Sequence, residues 1–295
     1  MRALAAVAFV AFVAGSAPRA EAGRGTNLMK YLPDDTSVVM VADVAKARRS
    51  PIFKKGFDLA REKHDVLDSL AQNVAVEKIV DTMVVGGAGT DHEHFVAILE
   101  GKVAKLLDEA KKQSTKSEKH GKVTYFVLPD GEVALIDKRL VITSAGDMPA
   151  LIDRAAKKKA KGPAAMRALI AKATASSTVF GGAVLDASVK KDLAQNLGAE
   201  PQSAVLSMGL AQTLTIDAKL QFSDDAAAEK ATQSLNDKIG PAGQSGTLRD
   251  QISGAVGQAF ADSIKIDQDH AFTRVAATLT ADEFDKVVAF AKMLL

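Results

Sequence analysis

Ser37-Val38-Val39-Met40-Val41-Ala42-Asp43 and Thr178-Val179-Phe180-Gly181-Gly182-Ala183-Val184-Leu185-Asp186 are two β-rich runs, each closed by an aspartate. Branched side chains suit a pleated, packed surface, and an acid at a strand end accepts from the free N–H groups of a following helix. A lysine-bearing helical segment follows each run, over 52–63 and 187–196. Working outward, the two stretches are matched again and again, and the chain reads as two related units.

A pair of strand candidates comes next in each unit: 82–85 with 95–99, and 204–210 with 214–222. Leu214-Thr215-Ile216-Asp217-Ala218-Lys219-Leu220 alternates apolar with polar, the pattern of a strand with one wet face. A helix follows in both places. Val103, Leu106, Leu107 and Ala110 share one face in the first, and 226–235 holds the same position in the second. Each unit ends on a strand running into a helix start. Leu140-Val141-Ile142-Thr143-Ser144 leads to Ser144 and Asp147 in Ser-x-x-Asp spacing, and Ala276-Ala277-Thr278-Leu279-Thr280 leads to Thr280 and Glu283 in capping-box spacing. Phe284, Val287, Val288 and Ala291 then mark a buried helical stripe.

Between these landmarks the units differ. The first carries a polar loop, 113–121, and a hairpin in which Asp130-Gly131 joins 123–127 to 132–136. The second carries a Gly/Pro loop, 240–246, and a helix marked by Leu248, Ile252, Val256 and Phe260. The expected fold class is therefore α+β. Each unit is a mainly antiparallel sheet with helices on one face, and a ferredoxin-like duplication is one form this takes. Lys157 to Gly162, followed by Pro163, gives the expected boundary between units 23–162 and 163–295.

The first 22 residues stand apart. Arg2 supplies positive charge, Ala3–Ala14 is an unbroken apolar run, and Ala20-Glu21-Ala22 has the Ala-x-Ala form of a cleavage site. This is a secretory signal peptide pattern, too short for the roughly twenty apolar residues of a membrane span. Export to the periplasm or the exterior is the expectation, with no integral span once the leader is cut. Loss of Arg2, Arg19 and Glu21 takes the formal charge from +2 to +1. Near-neutrality argues against nucleic acid as a partner. The chain has no cysteine, which excludes disulfides, thiol catalysis and thiolate metal sites, and leaves a cysteine-linked lipid anchor unexpected. With no Trp and two Tyr, Tyr31 and Tyr125, stacking platforms for sugars or bases are scarce.

Leu32-Pro33-Asp34-Asp35-Thr36, running into Val38–Asp43 and then Ser50-Pro51, resembles the start of uncharacterised bacterial exported proteins. That resemblance covers about twenty residues and implies export, with no activity or catalytic residues to carry over.

Several segments have a chemical look. Asp91-His92-Glu93-His94 places two imidazoles on one face of an extended segment, a way to present nitrogen ligands to zinc or copper, with Asp91 or His120 to complete the set. It follows Gly86-Gly87-Ala88-Gly89 and equally reads as a solvated hairpin tip. The glycines lack the spacing of a phosphate loop and read as a tight turn. Asp267, Asp269 and His270 lack an EF-hand's glycine and final glutamate and read as a turn. Ser144 and Ser207 sit in no nucleophile elbow. Lys157, Lys158, Lys159 and Lys161 read as a solvated linker face, with an anionic envelope surface as the other reading. Asp43 and Asp186 read as helix caps. The functional expectation is a non-enzymatic binding or structural protein whose partner is a protein or a cell-envelope component. The alternative is a metal-binding exported protein or metal-dependent enzyme using His92 and His94.

Overall fold

A computed structural model describes residues 25–55, 75–88, 94–157, 161–173 and 177–294. The fold is α+β. Its strands are β1 (Val38–Asp43), β2 (Val80–Gly87), β3 (Phe95–Gly101), β4 (Lys116–His120), β5 (Val123–Leu128), β6 (Gly131–Ile136), β7 (Arg139–Thr143), β8 (Val179–Val184), β9 (Ser203–Leu210), β10 (Thr213–Gln221), β11 (Lys265–Asp269) and β12 (Phe272–Thr280). The helices are α1 (Ala104–Gln113), α2 (Met148–Ala156), α3 (Ala164–Ile170), α4 (Ala187–Leu197), α5 (Asp225–Ile239), α6 (Leu248–Ala255), α7 (Gln258–Ser263) and α8 (Ala281–Leu294). Among the described residues there are also single helical turns, Val44–Ala47 and Val76–Ile79, a helical stretch over 51–55, and a 3₁₀ helix, Thr26–Tyr31.

Among the described residues, these twelve strands join one sheet in the order β11-β12-β10-β9-β8-β1-β2-β3-β7-β6-β5-β4, every neighbouring pair antiparallel. The two halves meet where β1 pairs with β8, with Met40 opposite Gly181. Outward from that seam the connectivity is the same on both sides: first, second, third, last and next-to-last strand of each half. The first half then adds β5 and β4, where the second half spends its chain on α6 and α7. The two outer edges are short and charged, Lys116–His120 and Lys265–Asp269, which discourages pairing with another chain. The seam strands are apolar, and their edges are used up on each other.

Alternation along the strands sends side chains to two faces. On the front, Ala42, Met83, Leu99, Val133, Met208 and Leu214 form one core with Leu106 of α1 and Phe284 of α8. On the back, Val39, Val41, Val84, Ile98 and Val141 form a second core. Leu28 and Met29 of the 3₁₀ helix, Leu151 of α2 and Met166 and Leu169 of α3 close over it. The first half is thus covered on both faces, not on one as its sequence led us to expect. The reason is that Val39–Ala42 and Val96–Leu99 are apolar at consecutive positions, so neither side tolerates water.

Local chemistry follows the sequence at several points. Asp43 accepts from the Lys46 N–H at 3.0 Å, and Asp186 from the Ser188 and Val189 N–H groups at 2.9 Å, so both are helix caps. Thr280 and Glu283 form the expected capping box. Two details differ. Leu128 pairs with Gly131, so the β5–β6 turn is Pro129-Asp130, one residue earlier than expected. Proline fixes a negative φ, which a type I′ turn cannot use. Gly131 lies inside β6, where a Cβ would sit 2.3 Å from the Thr143 carbonyl oxygen. The left-handed two-residue turn is instead Asp137-Lys138, with φ of 50° and 65° between β6 and β7.

Ser144 does not cap α2 either. Its hydroxyl accepts from the Phe95 N–H at 2.9 Å, tying β7 to β3. The helix begins later, at Met148, and the buried Glu132 carboxylate accepts the Met148 N–H at 2.8 Å from across the sheet.

Candidate functional site

The back of the sheet distinguishes the two halves. In the first, β3 and β7 present Val96, Ile98 and Val141 to α2 and the 3₁₀ helix. In the second, the corresponding strands β10 and β12 present Thr215, Asp217, Arg274 and Thr278, and α3 stops short of covering them. The wet face read from the 214–220 alternation is this one. Registers bring the polar residues together: Thr215 lies opposite Gly209 and Thr278, Asp217 opposite Ser207 and Ala276, and Arg274 opposite Asp267.

The result is a groove of about 360 Å³ lined by hydroxyls of Ser177, Ser207, Thr215 and Thr278 and by Asp217, Lys265 and Arg274. Arg274 Nε donates to Asp217 Oδ1 at 2.9 Å, and its Nη1 lies 3.5 Å from Asp267 Oδ2. The hydrogen bond to Asp217, with the Asp217 and Asp267 charges, outweighs burial and raises the Arg274 pKa above its ordinary value. Thr278 is fixed by α7, since its N–H donates to Ser263 Oγ at 2.9 Å. The groove therefore offers fixed charges of both signs between rows of rotatable hydroxyls. Such a surface can satisfy an oxygen-rich or mixed-charge ligand without rearranging. Within it, Asp217 and Arg274 are already paired with each other.

The metal candidates lie elsewhere. Asp91 and His92 are outside the described residues. His94, at the start of the segment leading into β3, is exposed, and its Nδ1 sits 2.9 Å from Asp147 Oδ2 at the foot of α2. Both line a cavity of about 290 Å³ with Asp35, Gly86, Gly87 and Arg154. His120 is not part of it; its Nε2 meets Asp153 of α2 at 2.8 Å. Among the described residues no three His, Asp or Glu side chains gather closely enough to hold an ion. The Asp267–His270 segment is a strand end and turn: Asp267 faces Arg274, and His270 has φ 52°. The two tyrosines are buried and their hydroxyls donate to Asp137 and Glu118. That bond and burial push the Tyr125 pKa up to about 12.

A third concavity, about 300 Å³, opens at the seam between the first residues of β1 and the end of β8. Sequence reading missed it, because it is assembled from strands 140 residues apart whose pairing no local pattern encodes. Among the described residues, no helix is long and apolar enough to cross a membrane.

No protein-family model matches the chain, and no curated protein matches it. Among solved structures it is similar to crystal form III of TP0453, at 10% identity over 88% of this chain and 97% of that one, with a TM-score of 0.54. Crystal forms I and IV of TP0453 give TM-scores of 0.47 and 0.49 at the same identity and the same 88% of this chain, over 96% and 95% of theirs. The form III likeness is one of fold.

Proposed function

We propose that the chain is an exported, non-catalytic binding or structural protein of the bacterial periplasm or cell envelope, and that the polar groove on the back of its second half makes the contact. The observation that carries this is the asymmetry of one sheet: the same face is apolar and sealed in one half, polar and open in the other. The leader pattern supports the location. The arrangement of two halves in the same strand order supports descent from a duplicated unit whose second copy has kept its back face clear for a partner.

Thr215 is exposed at the middle of that groove, and a long cation there obstructs it without touching the core. Thr215→Lys is expected to leave the melting temperature within a few degrees of wild type, as surface changes do. It is expected to cut co-sedimentation of the protein with purified envelope material about fivefold or more. Undiminished co-sedimentation would remove the groove from the proposal. Robust hydrolase turnover by the purified protein, lost on a point substitution, would overturn the non-catalytic reading.

A second reading rests on His94 and Asp147. Two potential ligand atoms 2.9 Å apart at the rim of a cavity, one of them on His94, which follows Asp91 and His92 in sequence, suit zinc or copper. Untagged protein is expected to carry stoichiometric zinc or copper on this reading, and the pair His92→Ala, His94→Ala to lose it. Metal-free protein under zinc or copper titration sinks it.

A further inference from the structure

Strand registers place the side chains of the polar groove in rows across the back of the second half. Lys265, Ala276, Asp217 and Ser207 form one row over β11, β12, β10 and β9. Thr278, Thr215 and Gly209 form the row on one side of it, and Asp267, Arg274 and Lys219 the row on the other. Residues directly opposite one another share a face, and so do residues two apart along a strand, so all of these positions look the same way. Gly209 and Ala276 are the small residues of the array and form its floor. Lys265, Arg274, Thr215 and Thr278 stand around them as walls.

Most of the polar groups in this array are already engaged. Arg274 holds Asp217 through Nε at 2.9 Å and faces Asp267 through Nη1 at 3.5 Å. The Thr215 hydroxyl donates to the Gly209 carbonyl at 3.3 Å. Ser263 Oγ accepts from the Thr278 N–H and donates to the Phe260 carbonyl. Two cations are left over. Exposed Lys265 and half-buried Lys219 face no carboxylate within 4 Å among the described residues. The hydroxyls of Thr278 and Ser177 hold no hydrogen bond among the described residues either. The one acid of this face not turned toward Arg274 in an ion pair, Asp269, lies two rows from Lys265, at the far end of β11. What the groove still offers is therefore donors: an ammonium with three N–H groups, and rotatable hydroxyls.

We propose that the groove takes a small hydroxylated acid, a polyol body carrying one carboxylate or phosphate, with the oxyanion at Lys265 and the Thr278 hydroxyl and the body over Gly209 and Ala276. This deepens, and rests on, the reading of the groove as the contact surface. Its volume of about 360 Å³ accommodates one such unit. No aromatic side chain lines it among the described residues, so the body is held by hydroxyls and not by stacking. The acid group supplies the charge-assisted contact, and binding of a single unit is weak and salt-sensitive.

The test is a titration of isotope-labelled protein with glucuronate, glucose 6-phosphate and glucose, followed by the amide signals of Thr215 and Thr278. At least one of the two acids is expected to shift them, and the one that does identifies the oxyanion as carboxylate or phosphate. Glucose is expected to leave them in place, and salt at about 0.5 M to weaken the response. Lys265→Gln, at an exposed position of an edge strand, is expected to keep the wild-type melting curve and to bind the acid about tenfold more weakly. Glucose acting as strongly as the acids, no response to either acid at about 20 mM, or undiminished binding by Lys265→Gln would each overturn the proposal. Lys265→Gln that still co-sediments with envelope material, where Thr215→Lys does not, would remove the acid and keep the groove as the contact surface. Acid binding together with undiminished co-sedimentation of Thr215→Lys would do the reverse.

Discussion

Glu283→Ala is expected to lower the unfolding free energy by about 2–3 kcal/mol, measured by chemical denaturation at pH 7. One carboxylate serves two elements. Its Oε2 accepts from the Thr280 N–H at 2.8 Å and the Thr280 hydroxyl at 2.9 Å, closing the capping box of α8. Its Oε1 accepts from the Phe260 N–H at 2.7 Å, fixing α7 to the start of α8. With the side chain only 7% exposed, truncation leaves two backbone N–H groups without their acceptor in a poorly hydrated place. Burial alone pushes the Glu283 pKa up, but the Thr280 and Phe260 donors outweigh it, and the net shift is downward. The sign follows. A carboxyl depressed in the folded state contributes fully above its unfolded pKa, about 4.3, and loses that contribution as pH falls through the folded value. Glu283→Gln keeps an acceptor and removes the titration. The gap between wild type and this variant is therefore expected to be constant from pH 7 to about 5 and to close below about 4. A gap that widens on acidification would contradict this assignment.

Gly181→Val is expected to cost about 3 kcal/mol or more, the larger effect because it acts at the one pairing that joins the halves. A Cβ at Gly181 would lie 2.7 Å from the Val39 carbonyl oxygen, a main-chain atom that cannot swing aside. Relief means moving β1 from β8, and the front core crosses that seam, with Ile52 and Phe53 in the same cluster as Met208 and Phe284. Gly254 supplies the contrast. It lies in α6 with nothing within 4 Å of an added Cβ, so Gly254→Ala is expected to stabilise by up to about 1 kcal/mol. Parallel urea curves for the two variants decide the matter, and a Gly181→Val protein as stable as wild type would mean that the seam yields freely.

Much of this architecture was legible in residues taken a few at a time. Asp43, Asp186 and the Thr280/Glu283 box announced helix starts because capping is local chemistry. The alternation from Leu214 to Leu220 announced a half-wet strand, and that wet side became the polar groove. The misplacements are equally physical. Asp130-Gly131 reads as the favoured turn until Pro129 is weighed, and Gly131 is needed instead for close approach to Thr143. Ser144 and Asp147 have cap spacing, yet Glu132, sixteen residues earlier, supplies the acceptor at Met148 and frees both for β3 and His94. The seam groove was illegible because it exists only once β1 and β8 lie side by side.

That pairing also sets a timetable. A chain made from its N-terminus completes β1 early, but the strand that covers its second edge arrives roughly 140 residues later. Until then the nascent first half carries an apolar, uncharged ribbon, Val38–Ala42, with one edge unpaired, while the finished sheet ends in two charged borders. The interval before β8 appears is when the chain most needs a holdase, and any break between residues 157 and 178 would leave two fragments each with a bare seam strand. Integrity of the linker is thus what separates a well-behaved cargo from a pair of self-adhering pieces.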